Sequence, residues 1–208
     1  MTELRTIALG AGAAAVALAF ATRSRAVQQL DDAVERGAGR VRARPFVLGA
    51  AHVGTLPGEP YMHWSIGAAC ALIMLVASHG GRPLGILLPL AAASLGAIVA
   101  HHVVKFVYRR PRPAVALAKG KTEPAYPSGH TADATAVLAT GAYMLVREGI
   151  ASPEVTVPVA VILALATGVS RVLLGWHWAT DVAGGWLTGI AVAAGTAGLY
   201  EMLLGLSR

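Results

Sequence analysis

Long runs of apolar residues, separated by short polar stretches, dominate this chain. A helix that crosses the roughly 30 Å hydrocarbon core of a bilayer needs about 20 mainly apolar residues. Six runs approach that length, over residues 4–21, 61–78, 86–108, 128–146, 155–174 and 180–204. The stretches between them contain Gly and Pro, which favour turns. The pattern predicts one all-α membrane domain over residues 1–208, a helical bundle with six transmembrane helices.

The first apolar run could instead belong to a signal peptide, which begins with a positively charged segment. Glu3 and Arg5 make a poor segment of that kind. We therefore interpret residues 4–21 as a retained helix.

Residues 22–44 break the apolar pattern with many charged side chains. Val27, Leu30 and Val34 recur there at helical spacing, which is typical of an amphipathic helix lying on a membrane surface. A solvated helix without membrane contact is the alternative. The prediction is one amphipathic surface helix in addition to the six spans.

The composition supports a membrane protein, because 55% of the residues are hydrophobic and only 13% are charged, against about 25% charged in soluble domains. Cys70 is the single cysteine, which excludes an intrachain disulfide and a thiolate metal cluster. The net charge of +6 could serve nucleic acid, an anionic bilayer or an anionic substrate. Aromatic residues are few and the cations flank apolar helices, so we expect anionic membrane lipid and no nucleic acid as partner.

The Lys and Arg side chains are unevenly divided between the two ends of the predicted bundle. Thirteen of the 17 fall in residues 22–59, 105–127 and 171–179, at one end. The other four are Arg5, Arg82, Arg147 and Arg208. Because Lys and Arg concentrate on the cytoplasmic side of membrane proteins, this count favours the cytoplasm for the cation-rich end.

Three polar motifs lie at that cation-rich end, where ionisable residues are functional candidates. The first, KFVYRRPRP, places Lys105 and Arg112 seven residues, or two helical turns, apart. A guanidinium beside an ammonium is suited to holding phosphate oxygens. Cations that extend from a helix end toward water explain Arg109 and Arg110 adequately.

The second motif, PSGH, stands at the start of the fourth span. Ser128 can cap the helix, Gly129 allows close approach of the backbone, and the free amides of a helix start attract anions. His130 can give a proton to a leaving oxygen. Alone, the motif is equally well explained as a capped helix with an interfacial histidine. Asp133 is either a partner that keeps His130 protonated or simply an acid near the helix N-terminus.

The third motif, SRVLLGWHWATD, contains Arg171, His177 and Asp181. His177 and Asp181 are four residues apart, so on a helix they share a face and can hydrogen-bond. A carboxylate that holds one ring nitrogen fixes the tautomer and leaves the other nitrogen as a nucleophile. Gly175 can turn the chain back toward the site. A structural His–Asp pair that joins two helices is the alternative.

Together the motifs supply three cations, a helix N-terminus and two histidines with separate roles, which favours a site for a phosphoryl group. The sequence offers no carboxylate pair suited to Mg²⁺, so we expect no metal and no cofactor. His101 and His102 are adjacent and are expected to face apart, as packing or lining residues. We assign no role to His52, His63 and His79.

The three motifs match in order and spacing those of the type 2 phosphatidic acid phosphatase superfamily, which the chain therefore resembles. The pattern Lys-x6-Arg-Pro, Pro-Ser-Gly-His and Ser-Arg-x5-His-x3-Asp is filled at every position between residues 105 and 181. The resemblance implies a six-span membrane bundle that removes the terminal phosphate from a lipid phosphate or pyrophosphate. The candidate substrates are phosphatidic acid, phosphatidylglycerol phosphate, polyprenyl pyrophosphate and polyprenyl-linked sugar phosphates.

The resemblance also implies the role of each motif residue. His177 would attack phosphorus and form a phosphohistidine, with Asp181 orienting its ring. His130 would protonate the leaving group and then activate water for the second step. The phosphoryl oxygens would be held by Lys105, Arg112, Ser128, Gly129 and Arg171.

Other activities stay open at this point. Lipid phosphotransferases of the same superfamily use an acceptor hydroxyl in place of water. Vanadate-dependent haloperoxidases have a similar anion pocket but soluble bodies, which six apolar spans disfavour. A channel or transporter would need polar residues deep in several spans, whereas residues 4–21, 61–78 and 180–204 are largely apolar.

The family resemblance and the count of Lys and Arg disagree about which side of the membrane carries the active site. The resemblance implies an extracytoplasmic site in a cell membrane, against the charge count, and we favour the resemblance. The excess of Arg over Lys (14 against 3) is typical of a GC-rich bacterial genome, which favours polyprenyl or glycerophospholipid substrates and a bacterial plasma membrane. The sequence gives no prediction of the oligomeric state.

Overall fold

The computed structural model describes residues 1–78 and 80–206, and within these residues all regular structure is helical. The α-helices are α1 (Thr2–Ala21), α2 (Arg25–Arg42), α3 (Pro45–Gly54), α4 (Pro60–Ala77), α5 (Pro83–Val107), α6 (Ala114–Ala118), α7 (Gly129–Arg147), α8 (Pro153–Leu173) and α9 (Ala179–Leu206). A 3₁₀ turn over Leu56–Gly58 joins α3 to α4. His79 and Arg208 lie outside the described residues.

Five helices, α1, α4, α5, α8 and α9, are long and apolar enough to cross a membrane. They coincide with five of the six predicted spans, which confirms an all-α multi-pass membrane protein. Several begin with a proline, which suits the first turn of a helix because its missing amide hydrogen needs no partner there.

The remaining predicted span, residues 128–146, forms α7, which is a helix but is not among the five apolar ones. It packs against α4, α5, α8 and α9, and 13 of its 19 residues are buried. A helix surrounded by other helices needs few apolar side chains for contact with lipid. Its composition therefore differs from that of the other spans, and that it crosses the membrane stays a prediction.

Small residues bring α9 against α7 closely enough to align their first turns. A Cβ atom at Gly189 would lie 2.5 Å from Cβ of Thr135, and one at Gly185 would lie 2.7 Å from the carbonyl oxygen of Ser128. Glycines at such positions let membrane helices approach backbone to backbone. The main-chain amide of Ser128 consequently donates to the carbonyl oxygen of Asp181 at 3.0 Å, which ties the second motif to the third.

The helix ends with most cations meet at one end of the bundle, where α1, α5 and α8 finish and α4, α7 and α9 begin. There the hydroxyls of Thr22 and Tyr108 are 2.5 Å apart, which joins the ends of α1 and α5. At the opposite end Arg147 pairs with Glu201 at 2.7 Å. The three motifs therefore lie on one face of the bundle, as the predicted spans require.

The segment predicted as an amphipathic surface helix, residues 22–44, contains the helix α2, and the apolar positions of α2 are divided between two faces. Val27 and Val34 are half-buried beside the buried Asp31 and Ala38, whereas Leu30 is 56% exposed. Val27, Leu30 and Val34 thus do not form a single membrane-facing stripe, because the face with Asp31 packs on the bundle. Contact between α2 and the membrane surface stays a prediction.

Candidate active site

A cavity of about 510 Å³ opens where the three motifs meet. Six of the eight predicted site residues line it, and these are Lys105, Arg112, Gly129, His130, Arg171 and His177. The other two, Ser128 and Asp181, lie directly behind the lining with no exposed surface. The fold therefore brings all eight residues into one region.

His177 is held between a cation and a carboxylate. Its ring is 2% exposed, with Nε2 at 3.2 Å from Nη1 of Arg112 and Nδ1 at 3.5 Å from Oδ2 of Asp181. The chain reaches this position through a turn in which Gly175 has a φ of 69°, a conformation that favours glycine. The third motif thus places the carboxylate of Asp181 beside one ring nitrogen, at an ion-pair distance without a hydrogen bond, and Arg112 beside the other.

Burial lowers the pKa of His177 well below its usual range, and the nearby cations Arg112, Arg171 and Lys105 lower it further. A low pKa keeps the ring neutral at physiological pH. A neutral imidazole whose Nδ1 carries the proton has a lone pair on Nε2, and that lone pair is what a nucleophile needs.

Asp181 is fixed on the side away from His177 by a second buried network. Its Oδ2 accepts from the amide of Trp178 at 2.9 Å and its Oδ1 accepts from Arg110 at 2.6 Å. Arg110 also donates to Asp31 at 2.6 Å, and Asp31 accepts from the amide of Thr180 at 3.0 Å. Helix α2 thereby caps the start of α9 and holds the counter-ion of Asp181.

The expectation that Arg110 merely extends from a helix end toward water is therefore wrong. It is 9% exposed. Burial alone would lower the pKa of its guanidinium, but Asp181 and Asp31 raise that pKa above its usual value. Arg109, which received the same interpretation, is exposed as expected.

Sequence reasoning missed Asp31 altogether, because 79 residues separate it from Arg110. The available signal was a carboxylate that falls on the apolar face of an amphipathic helix, four residues after Val27 and three before Val34.

Lys105, Arg112 and Arg171 form a group of three cations around the cavity, called here the cation cradle. Arg112 donates to the carbonyl oxygens of Glu123 and Trp176 at 2.7 and 2.9 Å. These contacts fix the guanidinium while leaving it beside Nε2 of His177.

The other two members of the cation cradle keep donor capacity for a ligand. Arg171 donates to the hydroxyl of Thr55 at 2.8 Å, lies over the ring of Trp176 at 4.2 Å, and its Nε has no protein partner among the described residues. Lys105 makes no hydrogen bond or ion pair within the described part of the chain. Ready donors around one point suit a phosphoryl group.

The PSGH motif starts α7 as predicted, but Ser128 does not cap the helix with its side chain. Ser128 occupies the capping position, yet its Oγ accepts from the hydroxyl of Thr131 at 2.9 Å. A Cβ atom at Gly129 would lie 3.0 Å from the ring of His101, so the missing side chain permits a close approach there.

His130 has a carboxylate partner that the sequence reasoning did not identify. Its Nε2 lies 3.1 Å from Oε1 of Glu59, and each of the two side chains is about a quarter exposed, at 27% and 28%. Glu59 is the residue directly before α4. The signal for it was an acidic residue between two prolines, immediately before an apolar run on the same face of the bundle.

The predicted pairing of Asp133 with His130 is not what the structure shows. Oδ1 of Asp133 lies 3.4 Å from Nε2 of His101 on the neighbouring helix α5. The rings of His101 and His102 are 4.3 Å apart, so the expectation that they face apart is also wrong, although both line the cavity as expected. His63, which was given no role, lines it as well.

The arrangement combines a buried histidine with a lowered pKa, a second histidine with a carboxylate partner and three cations. Among the described residues, no group of three or more His, Cys, Asp and Glu side chains is placed to hold a metal ion. The groups that are present can bind a phosphoryl group, attack it and exchange a proton with the oxygen that leaves.

Comparison with known proteins gives three matches that agree with one another. A family model described as PAP2 superfamily matches residues 86–203, more than half of the chain and all three motifs. The chain is 28% identical over 187 residues to phosphatidylglycerophosphatase B of Bacillus subtilis (strain 168), and the match covers 83% of this chain and 84% of the relative.

The third match is a solved structure, described as the crystal structure of the first transmembrane PAP2 type phosphatidylglycerolphosphate phosphatase from Bacillus subtilis. The TM-score is 0.82 and the identity is 25%, with 95% of this chain and 97% of the solved chain covered. The similarity in fold thus extends over nearly the whole molecule.

Proposed function

Because this chain belongs to the PAP2 superfamily and is a membrane lipid phosphate phosphatase, we propose that it hydrolyses phosphatidylglycerol phosphate through a phosphohistidine on His177. The printed names of both relatives support this substrate among the four candidates. The observation that carries the mechanism is the environment of His177, with Asp181 at 3.5 Å from Nδ1 and Arg112 of the cation cradle at 3.2 Å from Nε2.

In the first step Nε2 of His177 attacks phosphorus, and the bond from phosphorus to the lipid oxygen breaks. The leaving oxygen takes a proton from His130, which takes up that proton together with the anionic substrate and has Glu59 at 3.1 Å from its Nε2. Arg112, now 3.2 Å from Nε2, would move onto a phosphoryl oxygen as the substrate enters. Cations that are already in place stabilise the charge that builds up on these oxygens.

In the second step a water molecule occupies the position that the lipid alcohol has left, and the phosphate is transferred from His177 to this water. His130, now neutral, accepts a proton from the water as its oxygen attacks phosphorus. The bond between phosphorus and Nε2 of His177 breaks, and inorganic phosphate leaves. Each histidine returns to its starting protonation state, which closes the cycle without a further reactant.

We propose that this chemistry needs no metal ion, because the cation cradle supplies three positive charges at the position where a metal would otherwise neutralise the phosphoryl oxygens. Nε of Arg171 has no protein partner among the described residues, and Lys105 lines the same cavity. The free amides at the start of α7, beside Gly129, add the positive end of a helix dipole.

Phosphate release tests the proposal with purified protein in detergent, in the presence of EDTA. The substrates are phosphatidylglycerol phosphate, phosphatidic acid and a polyprenyl pyrophosphate, and the control is His177→Ala. We expect release that resists EDTA, is fastest with phosphatidylglycerol phosphate and is lost in the variant. Release that requires an added acceptor alcohol would instead establish a transferase, and release that EDTA abolishes would exclude the metal-independent route.

We also propose that the active site faces the extracytoplasmic side of a bacterial plasma membrane. Lys121 is exposed at the rim of the cavity, so Lys121→Cys should react with an impermeant thiol reagent in intact cells. The parent chain, with Cys70 inside α4, measures the background. Labelling that occurs only after permeabilisation would place the site in the cytoplasm, as the charge count favours.

A further inference from the structure

The cavity contains polar side chains that the proposed chemistry does not use. His63 on α4, His101 on α5 and Asp133 on α7 line it. Each lies three or four residues, about one helical turn, deeper in the bundle than the site residue of its own helix, and those residues are Glu59, Lys105 and His130. A lipid phosphate bound in the cation cradle would place the alcohol that leaves toward this deeper layer.

These side chains are buried, and polar atoms on each of them lack a hydrogen bond to the described residues. The exposed fractions of His63, His101 and Asp133 are 1%, 5% and 7%. Both ring nitrogens of each histidine, and Oδ1 of Asp133, make no hydrogen bond with any described residue. Buried polar atoms without partners are rare and costly, so three of them around one cavity point to a ligand.

The position of His101 connects this layer to the phosphate site. Its ring packs on Gly129, where a Cβ atom would lie 3.0 Å away, so it is held directly beneath the start of α7. Its Nε2 is 3.4 Å from Oδ1 of Asp133, which is an ion-pair distance without a hydrogen bond. The pair therefore presents a donor and an acceptor side by side.

We propose that His101 and Asp133, in the cavity that His63 also lines, form a subsite for a free hydroxyl group on the leaving alcohol, adjacent to the scissile phosphate. A hydroxyl accepts from an imidazole N–H and donates to a carboxylate at once, so one hydroxyl satisfies both groups. A second phosphate could only accept, and the carboxylate of Asp133 would repel it. This inference rests on the proposed function, because it requires the scissile phosphate in the cation cradle.

The subsite separates the candidate substrates by one functional group. In phosphatidylglycerol phosphate the glycerol carbon next to the phosphate-bearing carbon carries a free hydroxyl. In phosphatidic acid that same oxygen is acylated and has no proton to donate, and in a polyprenyl pyrophosphate a second phosphate takes its place. Lysophosphatidic acid with a free hydroxyl at that carbon restores the group without adding a second phosphate.

The test is the ratio of kcat/KM for phosphatidylglycerol phosphate to kcat/KM for phosphatidic acid with the same acyl chains. His101→Phe and Asp133→Leu each remove one half of the subsite, and Asp133→Asn keeps an acceptor oxygen. Because a site built to bind a hydroxyl discriminates strongly against substrates that lack it, we expect the ratio to fall about tenfold or more in the first two variants and less in the third.

A matched control comes from α5 itself. Ser94 is buried and its hydroxyl also lacks a partner, but it does not line the cavity, so Ser94→Ala should leave the ratio unchanged. Lysophosphatidic acid should behave like phosphatidylglycerol phosphate across the variants. A merely structural role would lower the kcat/KM of every substrate equally, and a ratio within twofold of wild type in His101→Phe would overturn the inference.

Binding distinguishes failure of the subsite from failure of the proposed function. In a His177→Ala background, tighter binding of phosphatidylglycerol phosphate than of phosphatidic acid, lost on adding His101→Phe, supports the subsite even if the wild-type protein releases no phosphate. Equal binding of the two lipids overturns it whatever the activity. If Asp133→Leu does not fold, His101→Phe and Ser94→Ala decide the question.

Discussion

Replacing Arg110 with methionine would leave two buried carboxylates without their common counter-ion. Arg110 donates to Asp181 and to Asp31, at 2.6 Å in each case. The exposed fractions are 9% for Arg110, 1% for Asp31 and 0% for Asp181. Methionine fills most of the same volume, so the substitution removes mainly the charge and its hydrogen bonds.

The expected loss follows from what each carboxylate keeps. Removing one partner of a buried ion pair costs about 3–5 kcal/mol. Asp31 retains the amide and hydroxyl of Thr180 and Asp181 retains the amide of Trp178, so neither carboxylate loses all its donors. We expect a loss of about 4 kcal/mol in the free energy of unfolding and a fall of about 10²-fold in kcat, because a catalytic pair is displaced.

Unfolding by SDS in mixed micelles, followed by tryptophan fluorescence, measures the stability, and phosphate release measures kcat. Arg109→Met is the matched control, because Arg109 is exposed and a surface substitution changes stability by less than about 0.5 kcal/mol. If Arg110→Met lowers the free energy of unfolding no more than Arg109→Met does, Arg110 is not the counter-ion on which the two carboxylates depend.

In a double-mutant cycle, we expect the effect of Asp31→Asn on stability to change sign between the wild type and Arg110→Met. Asp31→Asn should destabilise the wild type, because it weakens the bond with Arg110. In the Arg110→Met background it should stabilise the protein, because it removes an unpaired buried charge. Equal effects in the two backgrounds would show that the two residues are not coupled.

Three further predictions concern the residues around the two histidines. Glu59→Gln should lower kcat about tenfold with little change in KM, because His130 loses the carboxylate that orients its ring; steady-state kinetics with unchanged kcat would remove Glu59 from the site. Gly58→Ala should cost about 1–3 kcal/mol of stability, because its Cβ would lie 2.5 Å from the carbonyl oxygen of His130. Gly37→Ala meets nothing within 4 Å and lies inside α2, where alanine is the better helix former, so it should not destabilise the protein in the same unfolding assay; equal losses would contradict this. The pKa of His177 is lowered by burial and then by nearby cations, so ¹⁵N NMR, assigned with His177→Ala, should show a neutral ring as the pH falls from about 7.5 to 5.5. Titration near the ordinary value of about 6.5 would show that neither burial nor the cations lower its pKa.

The helices of this fold could be predicted because bilayer thickness imposes one length on every span and prolines mark several starts. Residues 86–108 and 155–174 were predicted as spans, and the helices are Pro83–Val107 and Pro153–Leu173. Helix α7 is the exception. It is surrounded by other helices and has little contact with lipid, so it can carry polar side chains. Hydropathy reports contact with lipid and not position in the bundle.

The candidate site was predicted as far as its residues lie in local motifs. Lys105, Arg112 and His177 line one cavity because each motif sits at a helix end and the ends alternate between two faces. Contacts between distant segments were missed, since Glu59 meets His130 across 71 positions of the chain. No spacing rule for a single helix can find such a pair.

The error over Asp133 has the same origin. Positions three apart on a helix are neighbours, so pairing with His130 was a reasonable expectation. The tertiary structure instead places His101 of α5 within 3.4 Å of Asp133. Spacing along one helix identifies only the possible partners within that helix, whereas the packing of helices determines which partner a side chain contacts.

Trapping the phosphohistidine on His177 is the most direct test of the proposed mechanism. Phosphatidylglycerol phosphate labelled with ³²P in its terminal phosphate is mixed with the protein in EDTA and quenched in base, and the labelled peptide is sequenced. We expect an acid-labile phosphate on His177 that is absent in His177→Ala and disappears as inorganic phosphate is released. Phosphate release at the wild-type rate in His177→Ala, or a label carried by another residue, would contradict it.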